Sequence, residues 1–309
     1  MREYVAQVCT TDADFLGECC RWDEVHQELM WVNQSQGPGQ MYRATVDGPE
    51  VTIVRRYELS GSPSAFAPVA GRDAGWILAM DRSLWWLDVQ GRLQELVTPD
   101  AGQTPPVHTN DGAADPWGRF WMGTMADDAS DGHAHLYRYS AAQGLTTIFE
   151  GLSISNGIAW SPDQRTMYHV DSGPGTIRAF DVDDHGEISN QRVFAQFDVA
   201  REGTPDGLCI DEDGAMWVAV WGGYEVRHYS RQGDLLGRVP LDTAQPSSCT
   251  LGGPGGTTLY ITTAQEDMSD EQLGAEPHAG RLFYAEVGVR GLVLRTFDTL
   301  ESRTGEHHD

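Results

Sequence analysis

Short apolar, aromatic-rich runs alternate with polar, turn-forming clusters along most of the chain. Leu29-Met30-Trp31-Val32 follows the turn-like stretch Asp23 to Gln27, and Trp76-Ile77-Leu78-Ala79 follows Gly71 to Gly75. Phe120-Trp121-Met122-Gly123 follows Asp115-Pro116-Trp117-Gly118, and Met167-Tyr168-His169-Val170 follows Ser161-Pro162-Asp163-Gln164. Met216-Trp217-Val218-Ala219 and Leu259-Tyr260-Ile261-Thr262 repeat the pattern after Asp211 to Gly214 and Gly252 to Gly256. Trp31, Ile77, Trp121, Tyr168, Trp217 and Tyr260 therefore mark six copies, spaced by 43 to 49 residues. That is the period of a four-stranded propeller blade. Further strand-like runs, such as Ile177 to Val182 and then Gln191 to Ala195, fill out each copy. No window carries a sustained helical period with caps. The pattern predicts an all-β chain, a six-bladed β-propeller over residues 1–309, with no linker and with 301–309 as a frayed tail.

Composition narrows the partners. The 35 glycines show no fibrous period and fit many turns. The formal net charge of −25 opposes binding to nucleic acid or to an anionic membrane surface. It suits attraction of a cation, although acidity also serves solubility alone. No apolar run reaches the ~18 residues of a membrane helix. The start, Met1-Arg2-Glu3-Tyr4-Val5, lacks the apolar stretch of a signal peptide, so a cytoplasmic location is expected. The five cysteines fit no zinc spacing and read as reduced thiols.

The repeat aligns the copies with one another. In each, the segment before the marker is expected to be the innermost strand, lining a central channel. About 11 to 13 residues before the marker stand Glu18, Asn110-Asp111, Asn156, Asp206 and Ser248, whereas the second copy has Phe66. Several sit beside glycine, as in Asn156-Gly157 and Asp206-Gly207. Such dipeptides are turn signals by themselves. Four at one phase of successive blades instead converge at one height of the channel. Carboxylates brought together so closely stay ionised only with a cation among them. An all-oxygen donor set suits one divalent ion: Ca²⁺ first, with Mg²⁺ or Mn²⁺ next and Zn²⁺ as a further alternative.

At these residues the chain resembles the senescence-marker, gluconolactonase and luciferin-regenerating family, which includes regucalcin. The resemblance runs over nearly the whole chain. Its carriers are Gly17-Glu18-Cys19-Cys20-Arg21-Trp22, Asn110-Asp111-Gly112, Gly123-Thr124-Met125-Ala126, Ser155-Asn156-Gly157, Pro205-Asp206-Gly207 and Ser248-Cys249-Thr250. The resemblance implies a propeller that opens sugar lactones with one divalent metal. It implies metal ligands at Glu18, Asn156 and Asp206, a substrate-contacting Asn110, and Asp111 close to the metal through water. The chain departs where sugar-lactone members carry Arg two residues before the Asn, because His108 stands there. Asp127 occupies a position that is often Glu, and Cys19-Cys20 lie where Pro is common.

The function expected is a metal-dependent hydrolase of a small-molecule lactone or related ester. Asp206 is the expected general base, and Asn110, His108 and Asp127 are the expected substrate contacts. Trp121, Trp221 and Met125 are candidate apolar walls, with core burial the commoner fate of a strand Trp. No Gly-Xaa-Ser-Xaa-Gly elbow appears. A related propeller hydrolysing another ester or organophosphate, or a non-enzymatic calcium-binding propeller, shares these features. Monomer and homodimer are equally compatible with the sequence.

Overall fold

Each turn-and-strand copy closes the inner hairpin of a blade. The computed structural model describes residues 1–71, 73–99 and 102–299, so the expected tail at 301–309 lies outside the described residues. The innermost strands are Leu16–Asp23, Pro63–Pro68, Val107–Ala114, Ser155–Trp160, Thr204–Ile210 and Pro246–Gly252. The six markers lie on the strands that pair antiparallel with them: Glu28–Gln34, Trp76–Met80, Phe120–Ala126, Thr166–Asp171, Met216–Trp221 and Thr258–Thr263. Two further strands complete each blade, and innermost strands of neighbouring blades stand side by side around a channel. A six-bladed β-propeller results.

The ring is closed by the start of the chain. Gln7–Val8 pairs antiparallel with Phe283–Glu286 and supplies the outermost strand of the sixth blade. Arg2–Glu3 adds a parallel edge strand to the fifth, along Leu235–Pro240. At the other end of the chain, Gly291 to Asp298 forms a strap across one face. Gly291 bridges to Asp211, Phe297 exchanges backbone hydrogen bonds with Pro68 and Ala70, and the Asp298 N–H bonds the Gly118 carbonyl. Among the described residues the helices are short, Val199–Glu202 and Asp270–Ala275, and none is long and apolar enough to cross a membrane.

The markers are core residues because they face the gaps between blades. All six are buried, and Trp31, Trp121, Trp217 and Tyr260 are among the largest fully buried side chains. A buried indole needs an acceptor for its N–H. Asp115 serves Trp121 at 2.8 Å, Asp211 serves Trp217 at 3.1 Å and Asp14 serves Trp31 at 2.8 Å. Trp121 is thus core rather than a wall of the channel.

Asp14 carries a cost that can be measured. Burial pushes its carboxyl up to about 7, against the opposing hydrogen bonds from Trp31 and Tyr42. Unfolded, the group ionises near 3.9. The folded state therefore holds the proton to higher pH, and the carboxylate destabilises the fold progressively as pH rises from ~4 through 7. Asp14→Asn keeps an acceptor for Trp31 and removes the charge. The variant is expected to melt a few degrees above wild type at pH 8 and level with it near pH 4. An equal difference at both pH values would rule this account out.

Candidate active site in the channel

The innermost strands do not run straight. In every blade the register of the inner hairpin shifts once: between Glu18 and Arg21, Pro63 and Ala65, Thr109 and Gly112, Ser155 and Ile158, Pro205 and Leu208, and Pro246 and Ser248. Such an irregularity leaves residues outside the ladder and re-aims their side chains. In the third, fourth and fifth blades those residues include the polar ones the repeat singled out, whereas Glu18 and Ser248 pair at the edge of the shift. Glu18 precedes Cys19, which takes a left-handed φ of 50°. Asn110-Asp111, Asn156-Gly157 and Asp206-Gly207 fall within the shifts.

Glycine is required at this level by close approach. A Cβ on Gly157 would lie 2.5 Å from the Asp206 carbonyl oxygen, and one on Gly207 would lie 2.6 Å from the Ser248 hydroxyl. Gly157→Ala therefore pushes the Asp206 strand away, and overpacking of this kind costs about 1–3 kcal/mol. The expected result is a melting temperature lowered by several degrees. A melting curve that overlays wild type would refute it.

Glu18, Asn110, Asn156 and Asp206 meet in one chamber of about 370 Å³, together with His108 and Asp127. Its rim is made by the ends of the second strands and the loops beyond them, which bring Met125, Ser172, Trp221 and Glu266. The expected apolar walls thus include Met125 and Trp221. The structure brings together the sequence-derived site residues, with Asp111 buried beside them.

The electrostatics are those of crowded, dehydrated carboxylates. Burial pushes the Glu18 carboxyl well above its usual range, and Asp206 and Asp111 push it further. Burial raises Asp206 as well, with Asp111 adding to it and Asn156 and the Gly207 N–H opposing. Asp111 is raised by burial and held down by Arg21 and the Gly112 N–H. Oδ1 of Asp206 is buried with no hydrogen-bond partner among the described residues. An orphaned carboxylate oxygen is expensive unless a cation or a proton meets it. The Asn156 amide is fixed from both ends: its Nδ2 donates to Ser172 Oγ at 3.2 Å and its Oδ1 accepts from the Gly157 N–H at 3.2 Å.

Two carboxylates and an amide carbonyl form a hard, oxygen-only donor set that fits a divalent cation. Among the described residues no three His, Cys, Asp or Glu side chains gather in ligand geometry.

His108 and Asp127 sit at the rim as a pair, His108 Nδ1 lying 2.9 Å from Asp127 Oδ1. Arg82 joins them from the second blade, pairing with Asp127 and donating to the Val107 carbonyl. Asn110 Nδ2 donates to the Ser155 carbonyl at 3.0 Å, which fixes the amide at the chamber wall. Three neighbours escaped the sequence reading. Arg82 and Glu266 arrive on loops with no repeat phase. Arg21, buried and 3.6 Å from Asp111 Oδ1, lies between apolar residues that gave no hint of a channel cation. Cys249 is buried, its Sγ 3.9 Å from that of Cys209, and burial joins the Cys249 contact in raising the Cys209 thiol.

Residues 16–265 match the family described as SMP-30/Gluconolactonase/LRE-like region. The chain belongs to this family. Among its relatives is a 6-deoxy-6-sulfogluconolactonase of Pseudomonas putida, 30% identical over 89% of this chain and 92% of that protein. An L-arabinolactonase of Azospirillum brasilense is 32% identical over 91% of this chain and 92% of that protein. Among solved structures, a luciferin-regenerating enzyme superposes with a TM-score of 0.85 at 28% identity, covering 96% of this chain and 99% of that one. A calcium-binding protein, regucalcin, from Agrobacterium tumefaciens superposes with a TM-score of 0.84 at 26% identity, over 96% and 98% of the two chains. Family membership thus agrees with the fold resemblance read from the residues.

Proposed function

We propose that this protein is a metal-dependent lactonase that opens sugar lactones with water. The observation that carries the reading is the unpartnered, buried Asp206 Oδ1 facing a chamber it shares with Glu18, Asn156 and Asn110. The family's named sugar lactonases support the substrate class.

Glu18, Asn156 and Asp206 would hold the ion, with Ca²⁺ the first candidate. When bound, such an ion polarises a carbonyl and acidifies water. Asp206 Oδ1, which has no hydrogen-bond partner among the described residues, would accept the proton of the attacking water. Water adds to the lactone carbonyl carbon, the ring C–O bond breaks, and the proton reaches the departing ring oxygen, leaving a hydroxy acid. Asn110, held by its bond to Ser155, keeps its remaining amide hydrogen and its carbonyl oxygen for substrate hydroxyls. The His108–Asp127 pair presents a second fixed polar edge where other sugar lactonases are expected to carry Arg.

The test is hydrolysis of a panel of sugar lactones, followed with a pH indicator, by metal-stripped protein with Ca²⁺, Mg²⁺, Mn²⁺ or Zn²⁺ returned. Turnover that requires an added ion supports the reading. Turnover independent of any ion removes the metal, and no turnover of any lactone with any ion removes the reaction.

A further inference from the structure

The chamber at Asp206 is the inner part of a longer cleft. A second cavity of about 580 Å³ lies over the first and second blades. The two share Gln34, His108, Asp127 and Glu266 as walls, so they open into one another. Either volume falls within the ~300–1,000 Å³ usual for a small-molecule site. A monosaccharide lactone seated at Asp206 would therefore leave the larger, outer space unfilled.

We propose that the outer cavity is a subsite for an uncharged, hydroxyl-rich arm on the lactone, such as the second ring of a disaccharide lactone. The inference rests on the lactonase reading above. Its chemistry comes from the lining. Ser62, Asp81 and Thr109 bring hydroxyl and carboxylate oxygens, and Phe15 brings one aromatic ring. Amide and carboxylate groups beside a ring face suit vicinal hydroxyls and the apolar face of a pyranose. Capacity is in reserve: among the described residues, the side chains of Gln34, Gln36 and Glu266 form no hydrogen bond within the chain. Charge decides against an anionic arm. Asp81, Asp127 and Glu266 line the outer cavity, and the Arg82 guanidinium and the His108 imidazole are both turned to Asp127.

The experiment compares glucono-1,5-lactone with cellobiono- and maltobiono-1,5-lactone on the metal-loaded full chain, wild type and Gln36→Trp. Gln36 is exposed, so the bulky side chain narrows the outer cavity without burdening the fold. The expected kcat/KM is about tenfold or more higher for the disaccharide lactones, and Gln36→Trp lowers that ratio by a similar factor. A wild-type ratio at or below one, or a ratio unmoved by Gln36→Trp, overturns the subsite and leaves the lactonase reading standing. If no lactone is turned over, the lactonase reading fails separately. Calorimetric titration with the unreactive cellobionolactam and gluconolactam then decides. Binding of the disaccharide form about tenfold tighter supports the subsite, and equal binding overturns it.

Discussion

Asp206→Asn is expected to lower lactone turnover by about 10³-fold or more, because it removes both a proton acceptor and an anionic metal donor. The fold is expected to survive. The wild-type carboxylate is buried with one oxygen unpartnered among the described residues, and an amide removes the buried charge. Metal-stripped Asp206→Asn should therefore melt at or above the temperature of metal-stripped wild type while being almost inactive. Glu18→Gln follows the same logic, since its carboxyl is also raised by burial and by Asp206. Steady-state kinetics and thermal melts on the same preparations check both halves. An inactive variant that also melts well below wild type would point to a structural role instead.

The second large effect is that of the ion on stability. A ligand that binds only the folded state stabilises it by about 2.7 kcal/mol at 100 times its Kd. Addition of a preferred divalent ion to stripped protein is thus expected to raise the melting temperature by several degrees. Glu18→Gln and Asp206→Asn should flatten that response, and Asn156→Ala should weaken it. The ion giving the largest shift is expected to support the fastest turnover. Equal shifts in wild type and all three variants would place the ion elsewhere.

Much of this architecture is legible in the chain. A blade is local in sequence, so a turn followed by an aromatic strand repeats along the chain as well as around the ring. Polar residues at one phase of that repeat fall on innermost strands, which is why Glu18, Asn110, Asn156 and Asp206 emerge from the sequence. What the pattern does not reveal is the set of shifts in register that turn these residues into the channel, since a bulge leaves no fixed residue type behind. Nor does it reveal groups delivered by loops. Arg82 reaches Asp127 across 45 positions and two blades, and Glu266 joins the chamber from a connection that has no counterpart in phase. Arg21 is concealed for the opposite reason: it lies directly between Cys20 and Trp22, and only packing reveals the carboxylate it faces. Trp121 looks like a wall by position and is core by bonding, because Asp115 takes its indole N–H.

The strap from Gly291 to Asp298 has a consequence for traffic. It lies across the face opposite the chamber, where Gly291 to Arg295 and the far ends of the innermost strands enclose a small space of about 110 Å³. The chamber itself opens on the other face, at a rim carrying Asp127, Glu266 and Asp267. A lactone arrives uncharged, whereas the acid it becomes carries a negative charge. The same carboxylate-lined rim that is indifferent to the incoming molecule repels the outgoing one from the interior. Hydrolysis itself works as the valve, and the released acid should be a poor inhibitor of the protein that made it.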